Sequence, residues 1–295
     1  MSFSLPAPEA RRVPWEGSEQ HMAVAGSALT EMVEALSRRA ALSPPLRTAL
    51  LSLPNHLVAA KRDDTLFKEG RSYDHCAVLL SGFAYSHRLT RCGHRQITAI
   101  HLPGDVLNLR LGASGRASTD IQALTELRAA HIPLSAIEQL ADTASPIALA
   151  LWAATQAEIS ILAEWLLNLG RRDARGRVAH FLCEFAYRQE AAHVASAPRY
   201  SWPLRQEQLA DICGLTAVHV NRTLQKLRSE GLVRASQQSL IIHEPERLRA
   251  MAEFSPDYLQ FVTEADPRAT SLPKMGTVRR RQVRSSASAP SAAAH

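Results

Sequence analysis

Hydrophobic positions change their period twice along this chain. Between residues 28 and 53 they recur at helical spacing, with Leu29, Met32, Val33 and Leu36 on one face and a second short helix predicted over 44–53. Past Pro54 the period drops to about two. Short apolar segments follow at 57–60, 65–68, 76–80, 84–89, 96–102 and 106–109, punctuated by Gly70, Gly82, Gly93 and Gly104. Short, regularly spaced strands separated by glycine turns predict an antiparallel barrel or sandwich. Residues 121–124 and 127–132 add two strands, and 134–140 a short helix.

The helical period returns over 146–169, where Ala148, Trp152, Thr155, Ile159, Leu162, Leu166 and Leu169 recur in alternating steps of four and three. Those steps describe the seam of a two-stranded coiled coil. The β-domain of the same chain could cover the stripe as ordinary core. Two tryptophans on one helix, Trp152 and Trp165, favour dimerisation, with Trp152, Ile159, Leu162, Leu166 and Leu169 as the interface. Thr155, Gln156, Glu158 and Glu164 interrupt the stretch before it reaches the roughly 20 clean residues of a membrane span, so no membrane partner is expected.

A basic helix opens at Arg171 and runs to Arg188, and 191–201 reads as a loop. From Gln206 the pattern changes again. Ala210 supplies a small residue where two helices would touch, Gly214 four positions on supplies a residue tolerant of positive φ, and Val220, Leu224 and Leu227 form an inward face. Thr216 sits at the N-cap of the second helix, predicted to run to Glu230. This is helix-turn-helix spacing. Left outward are Ala217, Val218, His219, Asn221, Arg222, Gln225 and Lys226. Arginine can bond both acceptors of guanine, asparagine or glutamine those of adenine, and valine can pack on the thymine methyl. A charged helix surface without a ligand is the plain alternative for each residue alone; the set in this spacing favours a DNA reader, with Lys226 on phosphate. Residues 232–233 and 240–242 predict a hairpin wing anchored by Arg234, and 245–254 a closing helix. Gln206, Thr216 and these outward residues form the predicted double-stranded-DNA contact set.

Charge sharpens this picture. The chain carries 34 Lys and Arg against 28 Asp and Glu. The excess is local: residues 171–234 hold eleven basic against six acidic groups, and 271–295 hold five against none. The first segment contains the helix-turn-helix; the second belongs to a tail rich in Ser, Ala, Pro and Arg that is expected to be disordered. No charged head with an apolar run opens the chain, so a cytoplasmic location is expected. The four cysteines lie far apart, and neither paired carboxylates, a nucleophile elbow nor a phosphate-binding glycine loop is present, which argues against an enzyme. No metal site is expected.

Taken together, Phe67-Lys68-Glu69-Gly70, Leu79-Leu80-Ser81-Gly82, Gly93 with Arg95-Gln96-Ile97, Pro103-Gly104-Asp105, Arg171-Arg172-Asp173-Ala174-Arg175 and the run from Leu215 to Leu224 resemble the Crp/Fnr family of bacterial transcription regulators. The resemblance implies an α+β fold: an N-terminal antiparallel β-roll of the cyclic-nucleotide-binding jelly-roll kind, a long dimerisation helix and a C-terminal winged helix-turn-helix. The expected division is a flexible arm (1–28), a sensory β-roll with leading helices (29–143), the dimer helix (144–169), the DNA-binding domain (170–256) and a basic tail (257–295). It further implies a homodimer on a near-palindromic site, and leaves RNA polymerase as a further partner. By the same resemblance the effector pocket would be formed by Gly104, Asp105, Arg116, Ser118 and Thr119. Relatives that bind cyclic nucleotide carry Gly-Glu and a later Arg-Ser-Ala, whereas here Gly104-Asp105 and Arg116-Ala117-Ser118-Thr119 stand, with the basic residue displaced by one; this argues against a cyclic nucleotide. No cysteine precedes Cys76, which argues against the family's iron–sulfur cluster; His75, Cys76 and His94 are the residues that could ligate haem. The effector is left unnamed. The alternative function is a small-molecule sensor acting by protein–protein contact.

Overall fold

The computed structural model describes residues 28–109, 116–236 and 238–261. The predicted arm up to residue 27 and the tail beyond 261 lie outside the described residues. Two short helices lead the chain, α1 (Thr30–Ser37) and α2 (Pro44–Leu51). Pro44 opens α2 at a position where its missing N–H costs no helical hydrogen bond. Eight strands follow: β1 (His56–Ala60), β2 (Thr65–Phe67), β3 (His75–Ser81), β4 (Ala84–Leu89), β5 (Arg95–His101), β6 (Val106–Leu107), β7 (Asp120–Ala123) and β8 (Leu127–Pro133). They pair antiparallel into two four-stranded sheets, β1-β8-β3-β6 and β2-β7-β4-β5. Val58, Leu66, Phe67, Leu79, Ile121 and Ala129 fill the space between them. The fold is the expected α+β arrangement, built as two facing sheets that do not close into a barrel.

The outer face of the first sheet packs Leu57, Cys76, Val78 and Ile132 against α1, α2, α3 (Leu134–Thr143) and the start of α4 (Ser145–Arg171). Helix α4 has 27 residues and by length and composition could cross a membrane, despite the polar interruptions noted in its sequence. One side of it packs into this chain, burying Ile147, Ala150, Leu151, Ala157, Ile161 and Trp165.

Helix α5 (Ala174–Ala191) begins where the Asp173 carboxylate accepts from the Gly176 amide at 2.7 Å. After it comes a three-stranded sheet, β10 (Val233–Ala235)-β11 (Ser239–Ile242)-β9 (Arg199–Ser201). The third strand lies in the segment expected as a loop over 191–201. It pairs with β11, a partner about 40 residues away that local pattern does not reveal. Between the strands lie α6 (Gln206–Cys213) and α7 (Ala217–Ser229); α8 (Pro245–Ala252) and a 3₁₀ turn (Pro256–Leu259) close the chain. The packing continues past residue 256, where the tail was expected to begin. Tyr258 donates to Glu184 at 2.8 Å, and Gln260 to Ser160 of α4 at 2.7 Å.

One apolar cluster joins Tyr85, Ile97, Ile100 and Leu102 of the second sheet to Trp165 of α4, to Phe181 and Phe185 of α5, and to Leu209, Val220 and Leu240 of the winged helix. The two-sheet part and the helix-turn-helix part therefore share a core.

Candidate nucleic-acid interface

The turn between α6 and α7 depends on Gly214, which adopts φ +61° and ψ 42°. A Cβ there would lie 2.9 Å from Cδ2 of Leu169, so both conformation and space favour glycine. Thr216 caps α7 as predicted, its hydroxyl accepting from the His219 amide at 3.2 Å. Val220, Thr223 and Leu227 are buried beneath the helix and Leu224 is half-buried. Three of the last carbonyls of α6 are met from outside the motif: Arg177 of α5 donates to Cys213 at 3.2 Å, and Gln96 of β5 to Asp211 at 2.6 Å and Ile212 at 3.3 Å.

Gln206, Thr216, Val218, His219, Asn221, Arg222, Gln225, Lys226 and Arg234 are all exposed, and Ala217 is half-buried. Val218, at 68% exposure, is a large apolar side chain facing outward. Asn221 donates to Gln206 at 3.2 Å, so two predicted contact residues also tie the start of α6 to α7. Arg228, a further cation beyond the predicted set, is exposed two residues after Lys226 in the last turn of α7. Arg175 and Glu230 form an ion pair that anchors the end of α7 to α5. The outward face of α7 thus combines cations, amides and one apolar group on a rigid, well-capped helix.

A cavity of about 380 Å³ lies where β4, β5, the 104–109 turn, α1, α4 and α5 meet. Gly104, Asp105, Ser118 and Thr119 line it. Arg116 does not: its guanidinium donates to the Gly70 carbonyl at 3.2 Å, in an isolated bridge with Ser72. The guanidiniums among the described lining residues are those of Arg39, just after α1, and Arg188 of α5. Gly104 has φ +93° and passes so close to α1 that a Cβ would fall 2.6 Å from the Glu31 carbonyl. Asp105 accepts from the Leu102 amide at 2.9 Å and from Arg188 at 3.2 Å. His101, also lining the cavity, lies with Nε2 2.7 Å from the Ser86 hydroxyl, and burial pushes its pKa down to about 4. Arg116 is thus turned away from this cavity, and the Asp105 carboxylate is engaged within the chain.

The Cys76 thiol is buried, turned toward the Ile132 carbonyl and pushed up to about 12 by burial, which makes it a poor haem ligand. Among the described residues, no group of three His, Cys, Asp or Glu side chains is placed to hold a metal ion.

Along α4, Trp152, Ile159, Leu162 and Leu166 are exposed, at 61% for Trp152 and 71% for Leu166. Two expectations change here. Leu169 is half-buried and faces Gly214, so it leaves the seam and supports the helix-turn-helix. Trp165 is buried edge-on to Phe181 and donates to Glu184 at 2.8 Å, so this chain covers one of the two tryptophans unaided.

Comparison with known proteins agrees with this architecture. Residues 57–144 match the cyclic nucleotide-binding domain family and residues 176–251 the Crp-like helix-turn-helix domain family, which together span more than half of the chain. The chain is 28% identical to the nitrogen fixation regulation protein FixK of Azorhizobium caulinodans, over 75% of its own length and 88% of the relative's. It is likewise 28% identical to FixK of Rhizobium meliloti, over 70% and 92%. Among solved structures it resembles FixK2 from Bradyrhizobium japonicum at a TM-score of 0.63 and 27% identity, covering 68% of this chain and 98% of that one. With both domains in this order and the outward face of α7 built as described, the chain belongs to the Crp/Fnr family of transcription regulators.

Proposed function

We propose that the chain acts in the cytoplasm as a homodimeric regulator that reads a near-palindromic DNA site. The N-terminal half of α7 enters the major groove, with Val218, His219, Asn221 and Arg222 at base edges. Lys226, Gln225 and Arg234 of the wing are set on phosphates, while Thr216 and Gln206 hold the start of each helix at the backbone. The observation that carries this reading is the uncovered outer face of α7, which presents hydrogen-bonding, cationic and apolar groups together on a helix buried along its other side.

The apolar stripe of α4 supplies the dimer. Burying each large side chain of the stripe contributes roughly 1.5–3 kcal/mol, so Trp152, Ile159, Leu162 and Leu166 together give ample reason for a second copy to cover them. Two such copies would place their recognition helices on half-sites about 34–36 Å apart. The cavity between α1, β5, α4 and α5 is the effector site, and RNA polymerase is the partner met beside a promoter.

The test is DNA retention against salt, using genomic duplexes enriched by the purified protein. A protein neutralising six to ten phosphates loses about 10³–10⁵ in affinity between 50 and 200 mM salt. A flat salt response would instead favour a protein partner.

A further inference from the structure

We propose that Arg95 and Gln96 of β5 are positioning residues for DNA recognition, clasping α6 from the β-roll of the same subunit so that α7 is held in its DNA-competent pose. The claim rests on the reading of α7 as the DNA-contacting helix and adds residues that lie more than a hundred positions away from it.

The observations are geometric. Arg95 donates through Nε to Asp211 Oδ2 at 2.7 Å and through a terminal nitrogen to the Tyr85 hydroxyl at 3.1 Å. Its guanidinium lies 5.5 Å from the Tyr85 ring centroid, and the Tyr85 hydroxyl in turn donates to Gln122 at 2.5 Å. The arginine is thus fixed from behind by two strands of the second sheet before it meets α6. Gln96 Nε2 donates to the carbonyls of Asp211 at 2.6 Å and Ile212 at 3.3 Å. Carbonyls in the last turn of a helix have no partner within it, so these bonds add to the left-handed Gly214 cap, whose N–H meets the Ala210 carbonyl, and satisfy two carbonyls that this cap leaves free.

The approach to α6 is held from the same side. Arg62 donates to the Pro203 carbonyl at 2.8 Å, and Arg205 pairs with Asp63 at 3.2 Å. Both ends of the first helix of the motif are therefore gripped by the β-roll. The outer face of α7 stays open throughout, since Val218, His219, Asn221 and Arg222 are exposed with the clasp closed. That exposure is why the clasped pose is assigned to the DNA-competent state and not to a blocked one. Strand β5 continues from the clasp through Thr98, Ala99, Ile100 and His101 along the cavity wall, so one strand touches both the cavity and the helix-turn-helix.

The test uses the full-length protein and the duplex that the wild type retains best from its genome. Binding is measured by anisotropy for Arg95→Glu, Asp211→Lys, the double variant and Gln96→Ala, with melting midpoints recorded to establish that each is folded. Residues that bias such an element shift coupling enough to change affinity by about tenfold. The expected result is that Arg95→Glu and Asp211→Lys each bind about tenfold more weakly, Gln96→Ala several-fold more weakly, and the charge-reversed pair recovers to near wild type. If Arg95→Glu is folded and its affinity is unchanged or higher, or if the double variant is no better than the weaker single, the clasp is overturned. If the wild type retains no duplex, the function reading fails and the clasp falls with it.

Discussion

Arg188 and Asp105, 83 positions apart, meet at 3.2 Å where the β-roll turn touches α5, and the same guanidinium nitrogen donates to the Ile100 carbonyl at 2.8 Å. Both side chains are mostly buried, and Glu184 lies 3.6 Å from the other terminal nitrogen of Arg188. Arg188→Gln should therefore leave Asp105 and Glu184 short of a cationic partner. A loss of about 1–3 kcal/mol in unfolding free energy is expected, measured by urea denaturation. An unchanged midpoint would mean that solvent already satisfies the pair.

Gly214→Ala places a methyl in a left-handed backbone and against Leu169. The conformational part alone costs about 1–2 kcal/mol. The substitution should lower the melting midpoint and weaken DNA binding together, because the angle between α6 and α7 changes. Gly214→Asn, which tolerates this backbone better, should cost less.

Acid should destabilise the protein below neutral pH. His101 is held neutral in the fold, its pKa pushed down to about 4 by burial even though nearby Asp105 favours the charged form. An unfolded histidine titrates near 6.5. Between those values the unfolded chain binds a proton that the folded chain does not. Stability is thus complete above about pH 6.5 and is lost as pH falls, by up to about 1.4 kcal/mol per pH unit. His131, pushed down to about 3 by burial and by its neighbours His75 and His56, acts with the same sign. Urea midpoints from pH 7.5 to 5 should fall accordingly, and His101→Gln should flatten part of the slope.

Leu166→Asp puts a charge in the exposed stripe of α4 without touching the monomer core. Sedimentation should show a shift from dimer to monomer at micromolar concentration, with the monomer's circular dichroism preserved. Trp165→Ala should behave differently, destabilising each monomer by about 3–5 kcal/mol, since that ring is packed on Phe181 inside the subunit.

What the sequence made legible follows from distance along the chain. The helix-turn-helix lies within a contiguous stretch, so Ala210, Gly214, Thr216 and Val220 declare it through local spacing alone. The strands showed through their period of two and their glycine turns. The period of α4 reads the exposure of Trp152, Ile159, Leu162 and Leu166. It failed at Leu169 because a residue 45 positions on, Gly214, packs there. The third strand of the wing sheet, the Arg188–Asp105 contact and the Arg95–Asp211 contact depend on partners roughly 40 to 116 positions away, and a lone arginine on a helix or strand reads as solvated. Arg116 is placed in the pocket by the family resemblance alone, while its backbone pairs with Ser72 and its side chain reaches the Gly70 carbonyl.

The central claim, that α7 lies in the major groove with Arg222 at a base edge, is tested most directly by methylation interference on the retained duplex, comparing wild type with Arg222→Ala and Lys226→Ala. The expected result is interference by guanine N7 methylation, a major-groove mark, in two half-sites about 10 base pairs apart. Arg222→Ala should lose one of those positions and about 1–3 kcal/mol of specific affinity, while Lys226→Ala weakens all sequences alike and keeps the pattern. Interference confined to adenine N3 in the minor groove, or a pattern and affinity unchanged in Arg222→Ala, would contradict it.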